Sequence, residues 1–195
     1  MSFPASATEP ALHAGLAELL AAGSLEISPR ELHRAGEVAA LLPAGTCVYI
    51  PSLPGLPLPR TLETVAALRA AGLDPVPHIS ARRVLDRGAF RSFLNAATSR
   101  YGVHRVLLVG GDEPRAKGPY ADSLEVLQDG VLADAGIREI GVAGYPEGHP
   151  RAGQRGRRAP LQLRRRGAHR SLDARAHRRL AANRGYRFHG MHVKV

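Results

Sequence analysis

The chain has 195 residues, 44% of them hydrophobic and 23% charged, which is enough for one domain with a hydrophobic core and excludes a disordered chain. Its single cysteine, Cys47, excludes a disulfide framework or a zinc site with several cysteines, and we predict no metal. Residues 151–195 hold 14 of the 27 Lys and Arg residues but one of the 17 acidic residues, so the net charge of +10 belongs to this segment. The longest apolar run, residues 38–42, is far shorter than the roughly 20 residues of a membrane span, and no signal peptide is visible. We therefore predict a cytoplasmic protein whose residues 1–150 form an ordinary globular body.

Strand and helix patterns alternate along residues 8–144. An opening helix is predicted over residues 8–22, where leucines recur at helical spacing. Strands are then predicted to begin near residues 24, 47, 75, 104 and 139, with one helix between each strand and the next. The helix after the first strand begins with a capping box, Ser28-Pro29-Arg30-Glu31, and is predicted to run to about residue 42. The alternation predicts an α/β fold with a parallel sheet.

The polar residues of this pattern distinguish between two α/β architectures. A dinucleotide-binding fold should carry G-x-G-x-x-G directly after its first strand, and Ser28-Pro29-Arg30-Glu31 stands there instead. Polar side chains lie at or just past the carboxyl ends of successive predicted strands: Glu26, Tyr49, His78, Asp112, Tyr145 and His149. Such a distribution is typical of a (β/α)8 TIM barrel. Because a barrel needs eight strands and five are predicted by residue 150, we predict an incomplete TIM barrel over residues 1–150 and a basic C-terminal tail over residues 151–195.

Several of these positions offer chemistry, and each also has a structural interpretation. Glu26 is either an edge-strand residue that faces solvent or a desolvated carboxylic acid whose pKa is raised. The run 109–112, Val-Gly-Gly-Asp, is either a plain turn or a place where the backbone closely approaches a flat ligand. His78 by itself favours a structural role. The run 142–150, VAGYPEGHP, combines two glycines, two prolines, Tyr, Glu and His at the end of a strand, which is more than a plain loop needs.

These motifs resemble those of the methylenetetrahydrofolate reductase family, whose members are flavin-containing (β/α)8 barrels. The resemblance rests on six motifs in order: LEISPR at 25–30, PRT at 59–61, GLDPVPHI at 72–79, VGGDEP at 109–114, YAD at 120–122 and VAGYPEGHP at 142–150. It covers roughly residues 24–150, and most of the motifs lie on predicted strand ends. The family usually has arginine before its Gly-Asp pair, whereas this chain has Gly110 there.

The resemblance implies a function and a role for each matching residue. The implied function is the flavin-dependent reduction of 5,10-methylenetetrahydrofolate to 5-methyltetrahydrofolate, with FAD as cofactor and NAD(P)H as reductant. Glu26 would be the general acid that helps to open the five-membered ring of the folate, and Asp112 would offset the cationic intermediate electrostatically. The residues implied to line the flavin are His78, Gly111, Asp112, Ala121, Tyr145 and His149.

After Pro150 the resemblance ends and an arginine-rich tail follows. Thirteen of the last 45 residues are arginine, and Val193 and Val195 are the only β-branched aliphatic residues, so no buried strand is predicted there. Three explanations are open: a frame disruption in a GC-rich gene, a basic arm that binds nucleic acid, and a surface tail. Only Tyr186 and Phe188 are available to stack on bases, which argues against nucleic acid as a partner.

An incomplete barrel has consequences for activity and association. Five strands cannot close, so the predicted strands at 24–27 and 139–144 would lack partners, and open apolar edges invite association, homo-oligomers included. We expect the chain by itself to be poorly soluble, to bind little flavin and to show no turnover. The alternative, in a different functional class, is a non-catalytic half-barrel binding protein with a basic nucleic-acid-binding arm.

Overall fold

A parallel sheet of six strands forms the centre of the fold in the computed structural model, which describes residues 23–144, 179, 182 and 185–193. The strands are β1 (Leu25–Glu26), β2 (Cys47–Ile50), β3 (Asp74–Ser80), β4 (Arg105–Val109), β5 (Glu139–Gly144) and β6 (Arg187–Val193). Their order across the sheet is their order along the chain, and all neighbouring pairs are parallel. The predicted helix at residues 8–22 lies outside the described residues.

Helices follow the strands as the alternation predicts. The described part of the chain contains α1 (Ala35–Leu41), α2 (Leu58–Ala70), α3 (Arg87–Tyr101), α4 (Ser123–Asp129) and α5 (Val131–Asp134). At the start of α3 the Asp86 carboxylate accepts a hydrogen bond from the Ala89 amide at 2.7 Å, and α3 ends at Gly102, whose φ is +62°. Within the described residues, no helix is long and apolar enough to cross a membrane.

The helix predicted after β1 is two elements rather than one. Ser28 is its N-cap, as predicted, and the hydroxyl accepts a hydrogen bond from the Arg30 amide at 3.2 Å. Pro29–Arg34 then forms a 3-10 helix, and α1 begins only at Ala35. The helix is interrupted because Glu31 leaves the α-helical region, with φ −103° and ψ 18°.

The sequential strand order distinguishes this sheet from a doubly wound one. Crossovers between parallel strands are right-handed, so strands that always advance in the same direction place their helices on one face of the sheet. A doubly wound fold reverses its strand order at a switch point, and no reversal occurs among the six described strands. The arrangement is compatible with part of an α/β barrel, and β1 and β6 each have a described neighbour on one side only.

Both faces of the sheet are apolar, but their cores differ in size. The face toward the helices joins strand residues such as Val48, Ile50 and Leu108 to helix residues such as Leu68 and Leu94 in the main core. The opposite face, called the inner face below, has a smaller cluster of Tyr49, Val76 and Leu107, with Cys47 and Val109 packed against it. The alternation along β2 and β4 therefore places every second side chain on the inner face.

Strand β3 contains two prolines although it has neighbours on both sides. The Asp74 amide donates to Thr46 O, which precedes β2, at 2.9 Å. Successive backbone nitrogens in a strand point to opposite sides, so the nitrogens of Asp74, Val76 and His78 are directed toward β2. Pro75 and Pro77 therefore have their nitrogens directed toward β4, where the pairing begins only at His78. The prolines are tolerated because no ladder hydrogen bond is required of them at these positions.

The expectation that residues 151–195 contain no strand for the sheet is wrong. Strand β6 pairs with β5 in parallel, with Arg187 opposite Glu139 and Met191 opposite Val142, and an irregularity in register lies between Ile140 and Val142. The expectation that β5 would lack an outer partner is wrong for the same reason. Main-chain pairing at the edge of a preformed sheet can recruit a segment of weak strand propensity, since strand preference depends strongly on context.

Candidate functional site

Three predicted polar residues come together at the carboxyl edge of the inner face. Glu26 of β1 lies opposite Tyr49 of β2, and Tyr49 lies opposite Val76, which precedes His78 by two residues on β3. The Nε2 atom of His78 is 3.6 Å from Oε2 of Glu26. The rings of Tyr49 and His78 meet edge to face, with centroids 5.8 Å apart and planes inclined by 63°. The end of the strands thus holds a carboxylate, an imidazole and a phenol in one group.

The three side chains differ in their access to solvent. The side chain of His78 is 7% exposed and Tyr49 is equally buried, and this burial raises the pKa of the Tyr49 phenol. The Glu26 side chain is 54% exposed, which agrees with the interpretation of Glu26 as an edge-strand residue that faces solvent and not with a desolvated carboxylic acid. Its exposure follows from its place on a two-residue strand at the edge of the described sheet.

The loop that follows β4 carries the second group of predicted residues. Gly111 has φ +92°, and a Cβ atom at this position would overlap the Ser80 hydroxyl. Glycine is required here both for the backbone conformation and for the close approach to β3. Ser80 follows His78 by two residues on the same face of β3, so Gly111 lies at the same edge of the sheet as the Glu26–His78 group.

Asp112 and Ala121 lie in this same loop and are exposed. The loop ends at Asp122, whose carboxylate caps α4 by accepting from the Leu124 amide at 2.9 Å and the Glu125 amide at 3.1 Å. Tyr145 and His149, the other two residues predicted to line a flavin, lie outside the described residues.

The arrangement can support proton transfer and the binding of a flat polar ligand. A carboxylic acid beside an imidazole can donate a proton and have the resulting carboxylate stabilised by the imidazolium. An exposed carboxylate next to a glycine turn offers an acceptor and bare backbone. The described residues contain no cluster of three or more His, Cys, Asp or Glu placed to hold a metal ion. Sequence reasoning missed Ser80 and Arg82, whose only signal was their position just after the predicted strand residue His78.

Charges at the opposite, amino edge of the inner face are paired with one another. Arg105 at the start of β4 contacts Oε2 of Glu139 through Nε at 2.8 Å and Nη2 at 2.6 Å, and its Nη1 lies 2.7 Å from Cys47 Sγ. Arg187 of β6 reaches the other oxygen of Glu139 at 3.2 Å. Burial by itself would raise the pKa of Glu139, but the hydrogen bonds and charge of Arg105 outweigh it and lower that pKa. Burial raises the pKa of the Cys47 thiol.

A groove of about 450 Å³ also lies on the amino side, away from the candidate site. It is lined by Thr98, Ser99, Gly102, Val103, His104, Gly136 and Arg138. These residues end α3 or precede β4 and β5, so the groove is remote from the residues predicted for catalysis. In parallel α/β folds the chemistry belongs at the carboxyl edge, which favours the Glu26–His78 group as the site.

A scan against protein-family models finds no model that matches the chain. The resemblance to methylenetetrahydrofolate reductases therefore rests on sequence motifs alone. A function for the chain has to be argued from the geometry of the carboxyl edge.

Proposed function

We propose that the carboxyl edge of this sheet is a flavin-linked reductase site of the methylenetetrahydrofolate reductase type. The observation that carries the proposal is the 3.6 Å approach of His78 Nε2 to Glu26 Oε2 at that edge. An acid poised beside an imidazole where parallel strands end suits general acid catalysis. The motifs at 25–30, 72–79, 109–114 and 120–122 support the proposal, because each contributes a residue to this edge or to the loop that borders it.

The residues around the loop after β4 fit the ring system of a flavin. That ring presents carbonyl oxygens, which need N–H donors, and one N–H group, which needs an acceptor. Gly111 offers bare backbone beside Ser80, Asp112 offers an exposed carboxylate, and His78 lies two residues before Ser80 on β3. We therefore assign His78, Gly111, Asp112 and Ala121 to hold FAD, which when bound would supply the hydride of the reaction.

The side chains of the chain itself handle the proton in this proposal. Protonated Glu26 donates to the ring nitrogen of methylenetetrahydrofolate that leaves when the five-membered ring opens. The Glu26 carboxylate is then stabilised by the protonated form of His78, and its 54% exposure allows solvent to return the proton. Asp112 stabilises the positive charge that ring opening creates on the substrate.

The test is a single-turnover experiment on the 195-residue chain with excess FAD. The flavin is reduced by NAD(P)H or by light, mixed anaerobically with methylenetetrahydrofolate, and its reoxidation is followed by absorbance. We expect Glu26→Gln to slow reoxidation by about a hundredfold or more, because the general acid is lost, while reduction by NAD(P)H is unchanged. The matched control is Glu37→Gln, which removes an exposed carboxylate of α1 and should change neither step.

We do not expect steady-state turnover from the chain by itself. The strands β1 and β6 have described neighbours on one side only, so the described strands do not form a closed barrel and we expect weak flavin binding. A chain that binds no FAD, or a Glu26→Gln variant impaired equally in both half-reactions, would contradict the proposal. Folate binding without any flavin binding would favour the non-catalytic alternative.

A further inference from the structure

One arginine outside the predicted site holds the loop that carries three of the site residues. This loop, residues 110–122, is called the β4–α4 loop because it joins those two elements, and it contains no helix or strand. It includes Gly111, Asp112 and Ala121. Arg82 lies in the 3-10 turn Ala81–Arg83, directly after β3.

The Arg82 guanidinium binds backbone at both ends of the loop. Its Nε donates to Ala121 O at 2.8 Å, and its Nη1 donates to Gly111 O at 3.2 Å and to Glu113 O at 3.3 Å. A guanidinium carries five N–H donors in a rigid plane, so it can satisfy several carbonyl groups at once. Arg82 therefore fixes the distance between the two ends of the loop.

The backbone of the same turn adds two further links to the loop. The Arg82 amide donates to Gly110 O at 3.1 Å, and the Lys117 amide donates to Arg82 O at 2.9 Å. The neighbouring Arg83 binds Oε1 of Glu113 at 2.7 Å and also contacts Ser52 O in the loop after β2. The beginning, middle and end of the β4–α4 loop are thus all hydrogen-bonded to the 3-10 turn that follows β3.

These contacts determine which way the loop presents its peptide groups. The carbonyl of Gly111 is directed at Arg82, and the N–H of Asp112 belongs to the same planar trans peptide. In a trans peptide the N–H points opposite to the C=O, so the Asp112 amide is directed away from Arg82. The orientation of the backbone beside Asp112 therefore depends on the guanidinium.

We propose that Arg82 is the positioning residue of the candidate site: it fixes the β4–α4 loop in the conformation that binds ligand, without touching the ligand itself. The identity of the ligand, FAD, rests on the proposed function. The ordering of the loop does not depend on it, because every contact above is within the chain. The two parts can therefore be tested separately.

The experiment compares Arg82→Ala, Arg82→Lys and Arg69→Ala in the full chain. Arg69 is a matched control because its guanidinium also binds backbone carbonyls, Tyr101 O at 2.8 Å and Gly102 O at 3.4 Å, but on the amino side of the fold. Amide hydrogen exchange measures loop order. We expect Arg82→Ala to speed exchange in residues 110–122 by about tenfold to a hundredfold, with β2 and β3 unchanged and no effect of Arg69→Ala on the loop.

The second measurement is the Kd for FAD from quenching of flavin fluorescence. We expect Arg82→Ala to raise the Kd by about tenfold or more, and Arg82→Lys to restore it only in part, because an ammonium group lacks the planar fork. Exchange that stays the same in the loop, or that rises equally across the whole sheet, would overturn the positioning role. Faster loop exchange in a chain that binds no FAD at all would support the positioning role and contradict the flavin proposal instead.

Discussion

The two edges of the inner face have opposite electrostatic designs. At the amino edge, the side chains of Arg105 and Glu139 are 13% and 11% exposed and pair with each other, and Arg187 also contacts Glu139. At the carboxyl edge, the Glu26 carboxylate is 54% exposed and lies 3.6 Å from a buried imidazole. The amino edge uses charge to connect strands, whereas the carboxyl edge leaves a carboxylate accessible to solvent.

In parallel α/β structures, the amino ends of the strands typically contribute stability and the carboxyl ends carry the functional residues, and the two edges of this sheet differ in the same sense. Loops can vary at the carboxyl edge because the strands are already fixed by the network at the amino edge.

The largest effect on stability is expected at the amino edge, from Arg105→Leu. It would leave the Glu139 carboxylate, whose side chain is 11% exposed, in contact with the exposed Arg187 but without the Arg105 guanidinium. Breaking a buried ion pair in this way costs about 3–5 kcal/mol of unfolding free energy, measured by urea denaturation. The control Arg91→Ala removes an exposed pair with Asp134 and should cost about 0–1 kcal/mol. Similar losses in the two variants would show that the amino-edge network is not a stabilising element.

A smaller effect is expected at the carboxyl edge, from Gly111→Ala. Both Gly111 and Gly55 have positive φ, but only at Gly111 would the added methyl overlap a neighbour, the Ser80 hydroxyl. Overpacking of this kind costs about 1–3 kcal/mol, so Gly111→Ala should lose that much more stability than Gly55→Ala. Removal of the hydroxyl in the double variant Gly111→Ala/Ser80→Ala should recover part of the difference. No recovery would mean that the loop and β3 are not packed together as described.

The smallest effect concerns the pH dependence of stability. Because the folded state lowers the pKa of Glu139, this group contributes stability above its unfolded pKa of about 4.3 and loses it as the pH falls through the lower folded value. Unfolding free energy measured from about pH 5 to pH 3 should fall less steeply in Glu139→Gln, by on the order of 1 kcal/mol over the window. Glu113 and Asp129, whose pKa values are also lowered, should maintain part of the slope. An unchanged slope would show that Glu139 does not gain from its partners in the folded state.

Local sequence patterns predicted most of the strands. The strands were predicted to begin near residues 24, 47, 75, 104 and 139, and they begin at residues 25, 47, 74, 105 and 139. The agreement is close because apolar runs bounded by Gly and Pro leave little freedom in where a strand begins. Glu26 and His78, which the sequence placed near the carboxyl ends of two strands, lie 3.6 Å apart at one edge of the sheet. His78 itself lies two residues before the end of β3 rather than at its end.

Other features could not be predicted because they depend on distant parts of the chain. Strand β6 has no β-branched pattern of its own and forms on the edge that β5 provides. The exposure of Glu26 depends on β1 having a neighbour on one side only among the described strands. The contacts of Arg82 join residues 29 to 39 positions apart, which no local pattern reveals.

The sequence by itself determined the parallel α/β class, the position of five strands and the chemical groups at their carboxyl ends, because side-chain period and turn residues act over a few neighbours. Only the tertiary structure decided the sequential strand order, the recruitment of β6, the solvent exposure of Glu26 and the attachment of the β4–α4 loop to Arg82. These features result from pairing and packing between residues far apart in the chain, and their free energies depend on the completed sheet rather than on any one segment.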